Sequence, residues 1–163
     1  MKDWGGINRN SEMTILSYVN QADAERPATP FFGIASYSKI LSIKDPEGYA
    51  VFDARVAVSL NAIQLLLDRD KRLVPPHLLV FFAPVGQNET INQFNSAAFP
   101  VALKRRGFSA VERKAIYGTY MASVHAISGI IHKSVLEIEM FLFAQAVQLS
   151  EEALPLARAI PPT

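Results

Sequence analysis

Apolar residues recur every three or four positions along much of the chain, and three stretches show this spacing clearly. Over 54–68 the apolar face consists of Val56, Leu60, Ile63 and Leu67. Similar spacing covers 110–130 and 135–149. Because that spacing places side chains on one side of an α-helix, the pattern predicts three long helices that share a core.

Two start signals delimit the C-terminal helices. The motif Ser-x-x-Glu, in which each side chain accepts a hydrogen bond from the other residue's backbone N–H, begins at Ser109 and again at Ser134. We therefore expect helices to open at these two serines. The expected inner faces are Ile116, Tyr120, Val124, Ile127 and Ile131 in the first helix, and Ile138, Phe141, Leu142, Gln145 and Leu149 in the second.

Capping residues and prolines delimit shorter helices in the N-terminal half. A helix with Asn10 or Ser11 as its cap is expected to end near Asp23, and Ser36 is expected to cap a second helix over 37–43. The connection between them contains two prolines, which a helix interior does not tolerate.

The middle of the chain is predicted to contain a turn, extended segments and a short helix. Turn-forming residues at 45–48 precede a brief apolar stretch, 49–52, that we expect to be extended. Further along, 77–85 is either a buried strand or an irregular core segment, and a short helix over 90–98 is expected to end at Pro100.

Together these elements make about six helices and at most one strand. This count indicates an all-α fold with a single helical domain over 1–163. We expect the two ends, 1–10 and 158–163, to be flexible because chain termini are commonly poorly ordered.

Composition and charge narrow the classes of function. Half of the residues are apolar and the formal net charge is +1, which excludes a disordered chain and argues against a strongly basic, non-specific nucleic-acid binder. The chain has no cysteine, so it has neither a disulfide nor a thiolate zinc site. Its three histidines lack partners at metal-ligand spacing, and we therefore expect no metal.

The sequence also bears on the cellular location of the protein and on its clusters of basic residues. No apolar run approaches the ~20 residues that a membrane-spanning helix needs, and no signal-peptide pattern opens the chain. We therefore expect a cytoplasmic protein that makes no membrane contact. The basic clusters at 104–106 and 113–114 are interpreted as solvated charge near helix ends.

Candidate chemistry is concentrated in the segment 31–58. It combines a turn, a helix with Lys39, a second turn, and an extended stretch that brings Asp53 to the start of the next helix. A turn that leads into a helix exposes backbone N–H groups, which suit a phosphate. Asp is also a preferred helix cap, so the alternative is that Asp53 only caps a helix while Lys39 and Arg55 are ordinary surface charges.

Two motifs in this segment carry a resemblance to a known family. Gly33-Ile34-Ala35-Ser36 and Val51-Phe52-Asp53-Ala54-Arg55-Val56 resemble the hairpin and the catalytic aspartate region of the helix-hairpin-helix DNA glycosylases. The nearest likeness is to the bacterial group described as 8-oxoguanine glycosylase-like. The later run Ile138-Glu139-Met140-Phe141-Leu142-Phe143 is similar to the final helix of that group.

The resemblance implies an activity and a partner. It implies a helix-hairpin-helix element near 31–43, DNA as the partner, and cleavage of the N-glycosidic bond of a flipped base such as oxidised guanine. Asp53 would stabilise the cationic sugar or activate the nucleophile, and Lys39 is the candidate amine nucleophile for lyase chemistry. No metal or organic cofactor is needed for this mechanism.

The resemblance also assigns residues to DNA binding. The expected contacts are Gly33, Ala35, Ser36, Tyr37 and Ser38 in the hairpin and the helix that follows it, and Arg55 beside Asp53 at the start of the next helix. Additional stacking surface is expected from Phe31, Tyr37 and Tyr49.

Two alternatives stay open at the level of the sequence. One is a non-enzymatic helical module that binds a protein partner through an apolar patch, with candidate contacts at Phe81, Phe82, Phe94, Phe99 and Phe108. The other is a DNA-binding domain without catalytic activity.

Overall fold

A computed structural model describes residues 11–23, 33–69, 79–81 and 98–159. This part of the chain contains seven α-helices: α1 (Glu12–Ala22), α2 (Ile34–Lys44), α3 (Ala54–Arg69), α4 (Phe99–Arg105), α5 (Ile116–Ile131), α6 (Val135–Ala144) and α7 (Ala146–Arg158). Two strands of two residues each, β1 (Leu79–Val80) and β2 (Ser109–Ala110), pair in parallel. The expectation of an all-α fold is confirmed. None of the described helices is long and apolar enough to span a membrane.

Helix α3 lies at the centre of the described structure and is buried on two faces. One face, with Val56 and Ala57 and the half-buried Leu60 and Ile63, packs into a first apolar cluster. The opposite face packs into a second cluster through Ala54, Val58, Ala62 and Leu65. The predicted stripe is therefore one of two buried faces, and the second accounts for the helix being fully covered at Val58 and Leu65.

The two clusters divide the helices between them. The first cluster joins α2 and the extended segment before α3 to α5 and α6, and at its centre the rings of Phe52 and Tyr120 lie 5.1 Å apart. The second joins α3 to α4 and α7, with small residues such as Ala146 and Ala153 at the contact. Small side chains let two helices approach closely, so α7 packs along α3.

The start of α2 differs from the prediction by three residues. The helix begins at Ile34 and its N-terminal cap is Gly33, whereas Ser36 lies in the first turn and donates its backbone N–H to the Gly33 carbonyl at 3.0 Å. Gly33 has a positive φ of 78°, and a Cβ atom there would overlap the Tyr18 hydroxyl of α1. Glycine is thus required both by the backbone conformation and by the close packing of α1.

The first of the two predicted capping boxes is wrong. Ser109 lies in β2 opposite Leu79, and Glu112 caps a short 3₁₀ helix, Arg113–Ala115, that precedes α5. Burial of Phe108 and Val111 on either side of the strand explains the difference, because this packing holds the chain extended against the local preference for a helix.

The second capping box is confirmed, although the helix it opens is shorter than expected. The Glu137 N–H donates to Ser134 Oγ at 3.2 Å, and the Ser134 N–H donates to Glu137 Oε2 at 2.9 Å. Helix α6 ends at Ala144, and α7 begins after a break at Gln145. The predicted single C-terminal helix is therefore two helices. This split and α4, which the pattern did not predict, account for the seven helices of the described residues.

Other predictions along the chain either agree with the structure or lie outside the described residues, as 1–10 and most of 77–85 do. The helix α1, capped by Ser11, and the turn that follows α2 agree with the prediction. Pro100 lies in the first turn of α4, where its missing N–H costs nothing. The predicted helix over 90–98 falls almost entirely outside the described residues, as does the chain end beyond 159.

Three residues expected on inner faces are exposed instead. Ile127 and Ile131 of α5 are 38% and 52% exposed, and Phe141 of α6 is 55% exposed. Ile127 and Ile131 belong to a wider set of exposed apolar side chains on these two helices. We call this set the α5–α6 surface, and it consists of Ile127, Ile130, Ile131, Leu136, Met140 and Phe143.

Candidate functional site

The extended segment 49–53 connects the turn after α2 to the start of α3 and carries the candidate aspartate. The turn is closed by Asp45, whose carboxylate accepts the Gly48 N–H at 2.9 Å and whose carbonyl accepts the Tyr49 N–H at 3.0 Å. Beyond it, residues 50–52 are buried. Buried backbone groups require hydrogen-bond partners, and in this segment side chains of three helices provide them.

Helix α5 binds the beginning of the segment. The Tyr117 hydroxyl donates to the Ala50 carbonyl at 3.0 Å, and Met121 Sδ accepts the Ala50 N–H at 3.4 Å. Both side chains are buried, so these bonds form in a protein interior where leaving one unmade costs about 1–3 kcal/mol.

Helices α6 and α2 bind the next two amides. Glu139 Oε2 of α6 accepts the Val51 N–H at 2.7 Å, and Ser38 Oγ of α2 accepts the Phe52 N–H at 3.0 Å. The Ser38 hydroxyl itself donates to the Ala35 carbonyl at 3.4 Å. The chain before Asp53 is therefore fixed from three directions.

Asp53 is half-buried and lies directly before α3. Its Oδ1 atom accepts the Arg55 N–H at 2.9 Å and the Val56 N–H at 3.1 Å. These are the bonds of a helix N-cap, so the capping role that the sequence offered as an alternative is present. Its catalytic role stays a prediction.

Glu139 is a buried carboxyl group next to this segment. Its residue is only 9% exposed. Burial raises the pKa of the Glu139 carboxyl, which is the largest effect, and the Val51 hydrogen bond lowers the same pKa. The negative charge of Asp53 raises the Glu139 pKa further, while the positive charge of Lys39 lowers it, and the net shift is upward.

The two predicted catalytic residues thus share a neighbour. Lys39 is half-buried on α2 and Asp53 is half-buried before α3, and both act electrostatically on the Glu139 carboxyl. The Arg55 guanidinium lies 4.7 Å from the centre of the Phe143 ring, a cation–π contact between α3 and α6. Lys39 and Asp53 are therefore linked through Glu139 of α6, and Arg55 contacts the same helix through Phe143.

Two buried tyrosines of α5 interact electrostatically with Glu139. Tyr117 and Tyr120 of α5 have a raised pKa, first because they are buried, and Glu139 contributes to both shifts. Among the described residues, the buried hydroxyls of Tyr37 and Tyr120 have no hydrogen-bond partner. An unpaired buried hydroxyl is costly, and Arg106 Nε is the other buried side-chain atom of the described residues without a partner.

The predicted DNA-binding residues fall into two groups. Gly33 is exposed, and Ala35, Ser36 and Arg55 are half-buried. In contrast, the side chains of Tyr37 and Ser38 are buried in the core, where the Tyr37 ring lies 5.6 Å from that of Tyr18. The stacking candidate Tyr49 is half-buried, and Phe31 lies outside the described residues.

Other candidate groups have structural partners. His125 Nε2 lies 3.1 Å from the Gly48 carbonyl oxygen. In the basic cluster, Arg106 pairs with Asp68 at 2.5 Å and donates to the Leu156 carbonyl at 3.1 Å, while Lys114 pairs with Glu112 at 3.2 Å. Within 11–23, 33–69, 79–81 and 98–159, no group of three acidic, histidine or cysteine residues is placed to hold a metal.

Comparison with protein families, with curated proteins and with solved structures finds no match for this chain. Function is therefore inferred from its own residues.

Two residues that bind this segment were not predicted from the sequence. Glu139 lies in the motif Ile138–Phe143 but was given no role, and Tyr117 was not identified. One signal marks Glu139: it is an acidic residue between Ile138 and Met140 in an otherwise apolar helical run. Acidic residues are rarely buried unless they are partnered. The partner, the Val51 amide, lies 88 residues earlier and no local pattern reveals it.

The role of Ser38 can be tested by replacing it with alanine. Ser38→Ala leaves the buried Phe52 N–H without its acceptor, so the free energy of unfolding is expected to fall by about 1–3 kcal/mol in a denaturant titration. Ser36→Ala, two residues earlier on the same helix and half-buried, serves as the matched control. It is expected to change stability by about 0.5 kcal/mol or less, and equal losses in the two variants would contradict the assignment.

Proposed function

We propose that this chain is a DNA glycosylase-like protein that binds DNA and cleaves the N-glycosidic bond of a modified base. One observation supports the proposal best. A buried segment held by three helices carries a half-buried aspartate to the start of α3, with Lys39 and a second carboxyl, Glu139, within electrostatic range. Such rigid placement of a carboxylate is what stabilisation of a developing positive charge requires.

Asp53 would act on the sugar. As the bond from C1′ to the base nitrogen breaks, its electron pair leaves with the base, and positive charge develops on C1′ and the ring oxygen. A fixed carboxylate stabilises that charge without reorganising during the reaction. The departing base takes up a proton and leaves as the free base.

Lys39 would supply the nucleophile. The Lys39 amine forms a bond to C1′ as the bond to the base breaks, and the proton that the amine loses is taken up by the departing base. Opening of the sugar ring then converts the new bond to a Schiff base. Borohydride reduces a Schiff base to a stable amine, which gives a covalent adduct between protein and DNA. If water attacks in place of Lys39, the base is released and no adduct forms.

The N-terminus of α2 would bind a DNA phosphate. Gly33 at the cap is exposed and the first turn is only half-buried at Ala35 and Ser36, so a phosphate can approach this helix start from solvent. Helix N-termini favour anions because their amides and the helix dipole point outward. Tyr37 and Ser38 would support this turn from within the core.

The activity is tested with a labelled duplex that contains 8-oxoguanine. The folded wild-type protein is expected to release the base and to form an adduct under borohydride. Asp53→Asn, which keeps a helix-capping side chain, is expected to slow release on the order of 100-fold or more. Lys39→Ala is expected to abolish the adduct, whereas the surface control Lys114→Ala, exposed by 85% at its side chain, should match the wild type.

The outcomes separate the roles of the two residues. Release of base without an adduct would retain the glycosylase proposal and remove the nucleophile role from Lys39. Neither release nor adduct, from wild-type protein shown to be folded and tried with several modified bases, would contradict the glycosylase proposal and leave Asp53 as a helix cap.

The α5–α6 surface favours a second candidate function, binding of a protein partner. Its six apolar side chains are 38–77% exposed, and exposed apolar patches of several large side chains mark interaction sites. The phenylalanines named from the sequence do not contribute, because Phe81, Phe99 and Phe108 are buried; Phe82 and Phe94 lie outside the described residues.

DNA binding and partner binding respond differently to salt and to surface charge. If DNA is the ligand, affinity should fall steeply between 50 and 200 mM salt, roughly as expected for several phosphate contacts. If a protein is the ligand, chemical cross-linking should capture it with the wild-type chain. The double variant Ile130→Lys with Met140→Lys should no longer give this cross-linked product. Asn20→Lys with Gln148→Lys adds the same charge elsewhere and should retain it; equal loss in both would contradict partner binding at this surface.

A further inference from the structure

Glu139 connects α6 to the chain immediately before Asp53. Its Oε2 atom accepts the Val51 N–H at 2.7 Å, and Val51 precedes Asp53 by two residues, a separation of about 7 Å in an extended chain. Both Glu139 and Val51 are buried. A hydrogen bond from a backbone amide to a carboxylate is among the stronger ones, so Glu139 restrains the path of the chain close to the aspartate.

The charged and titratable groups near this carboxyl come from every element around it. Lys39 lies on α2, Asp53 lies at the start of α3, and Tyr117 and Tyr120 face it from α5. The tyrosines are neutral at ordinary pH because their pKa is raised. The charges that act on Glu139 are those of Lys39 and Asp53, and Arg55 adds a positive charge where α3 meets Phe143 of α6. Glu139 is the more buried of the two carboxyl residues.

We propose that Glu139 is the positioning residue of the Asp53 site, holding the chain through the Val51 amide and adding a second negative charge beside the aspartate. A role in catalysis rests on the proposed glycosylase function, whereas the coupling between the two carboxyl groups does not. When Glu139 is ionised, two negative charges act on the sugar cation. When it is protonated, only Asp53 does.

The coupling is measured without any substrate. Carbon-detected NMR follows the Glu139 carboxyl through a pH titration, and Glu139→Gln identifies its resonance by removing it. Asp53→Asn is expected to lower the Glu139 pKa by about 0.5 pH units or more, since it removes a negative neighbour. Lys39→Gln is expected to raise the Glu139 pKa, since it removes a positive one. The proposal would be overturned if the Glu139 pKa were the same in the wild type and in both variants.

The effect on catalysis is measured as a ratio of rates. Glu139→Gln keeps an oxygen that accepts the Val51 N–H but removes the charge, so the variant is expected to fold. The ratio of wild-type to Glu139→Gln base release should be near one below the Glu139 pKa and rise to on the order of tenfold above it. A ratio that stays flat across pH would show that the Glu139 charge does not act on the reaction and would overturn that part of the proposal.

The two measurements keep this proposal separate from the proposed function. If the wild type releases no base, the glycosylase proposal fails, and the NMR titrations still decide whether Glu139 and Asp53 are coupled. If base is released but the Glu139 resonance ignores Asp53→Asn, the glycosylase proposal stands and the Glu139 proposal fails.

Discussion

Everything at the candidate site depends on how the buried backbone of residues 50–52 satisfies its hydrogen bonds. A buried amide or carbonyl that loses its partner costs about 1–3 kcal/mol, and this segment is bonded by the side chains of Ser38, Tyr117, Met121 and Glu139. These four residues come from three helices. The relative placement of α2, α5 and α6 is therefore tied to the path of the chain that leads to Asp53.

The same constraint explains how a capping residue can serve a chemical role. Asp53 Oδ1 accepts two amides at the start of α3, and α3 is buried on two faces by the two apolar clusters. The carboxylate is thus attached to the most completely packed helix described. The capping role is compatible with the chemical role proposed for Asp53, since a group that stabilises a transition state must not move when charge develops.

Local pattern was sufficient where local interactions decide the structure. The cap at Ser134, the turn at Asp45 and the arrival of Asp53 at a helix start were all predicted from neighbouring residues. The local pattern failed where distant contacts determine the structure. Ser109 lies in a strand because it pairs with Leu79. The second face of α3 is buried because α7 packs against it. The site shows the same limit, since the Glu139 contact with Val51 spans 88 residues. Periodicity locates Glu139 on a helix but does not identify the amide it binds.

Hydrogen exchange of the Ala50, Val51 and Phe52 amides tests the central claim most directly. If buried side chains of three helices hold these groups, their amides should exchange as slowly as those in the interior of α3, because exchange then requires the core to open. Exchange of all three at the rate of an unprotected surface loop, while the α3 amides remain protected, would contradict the account.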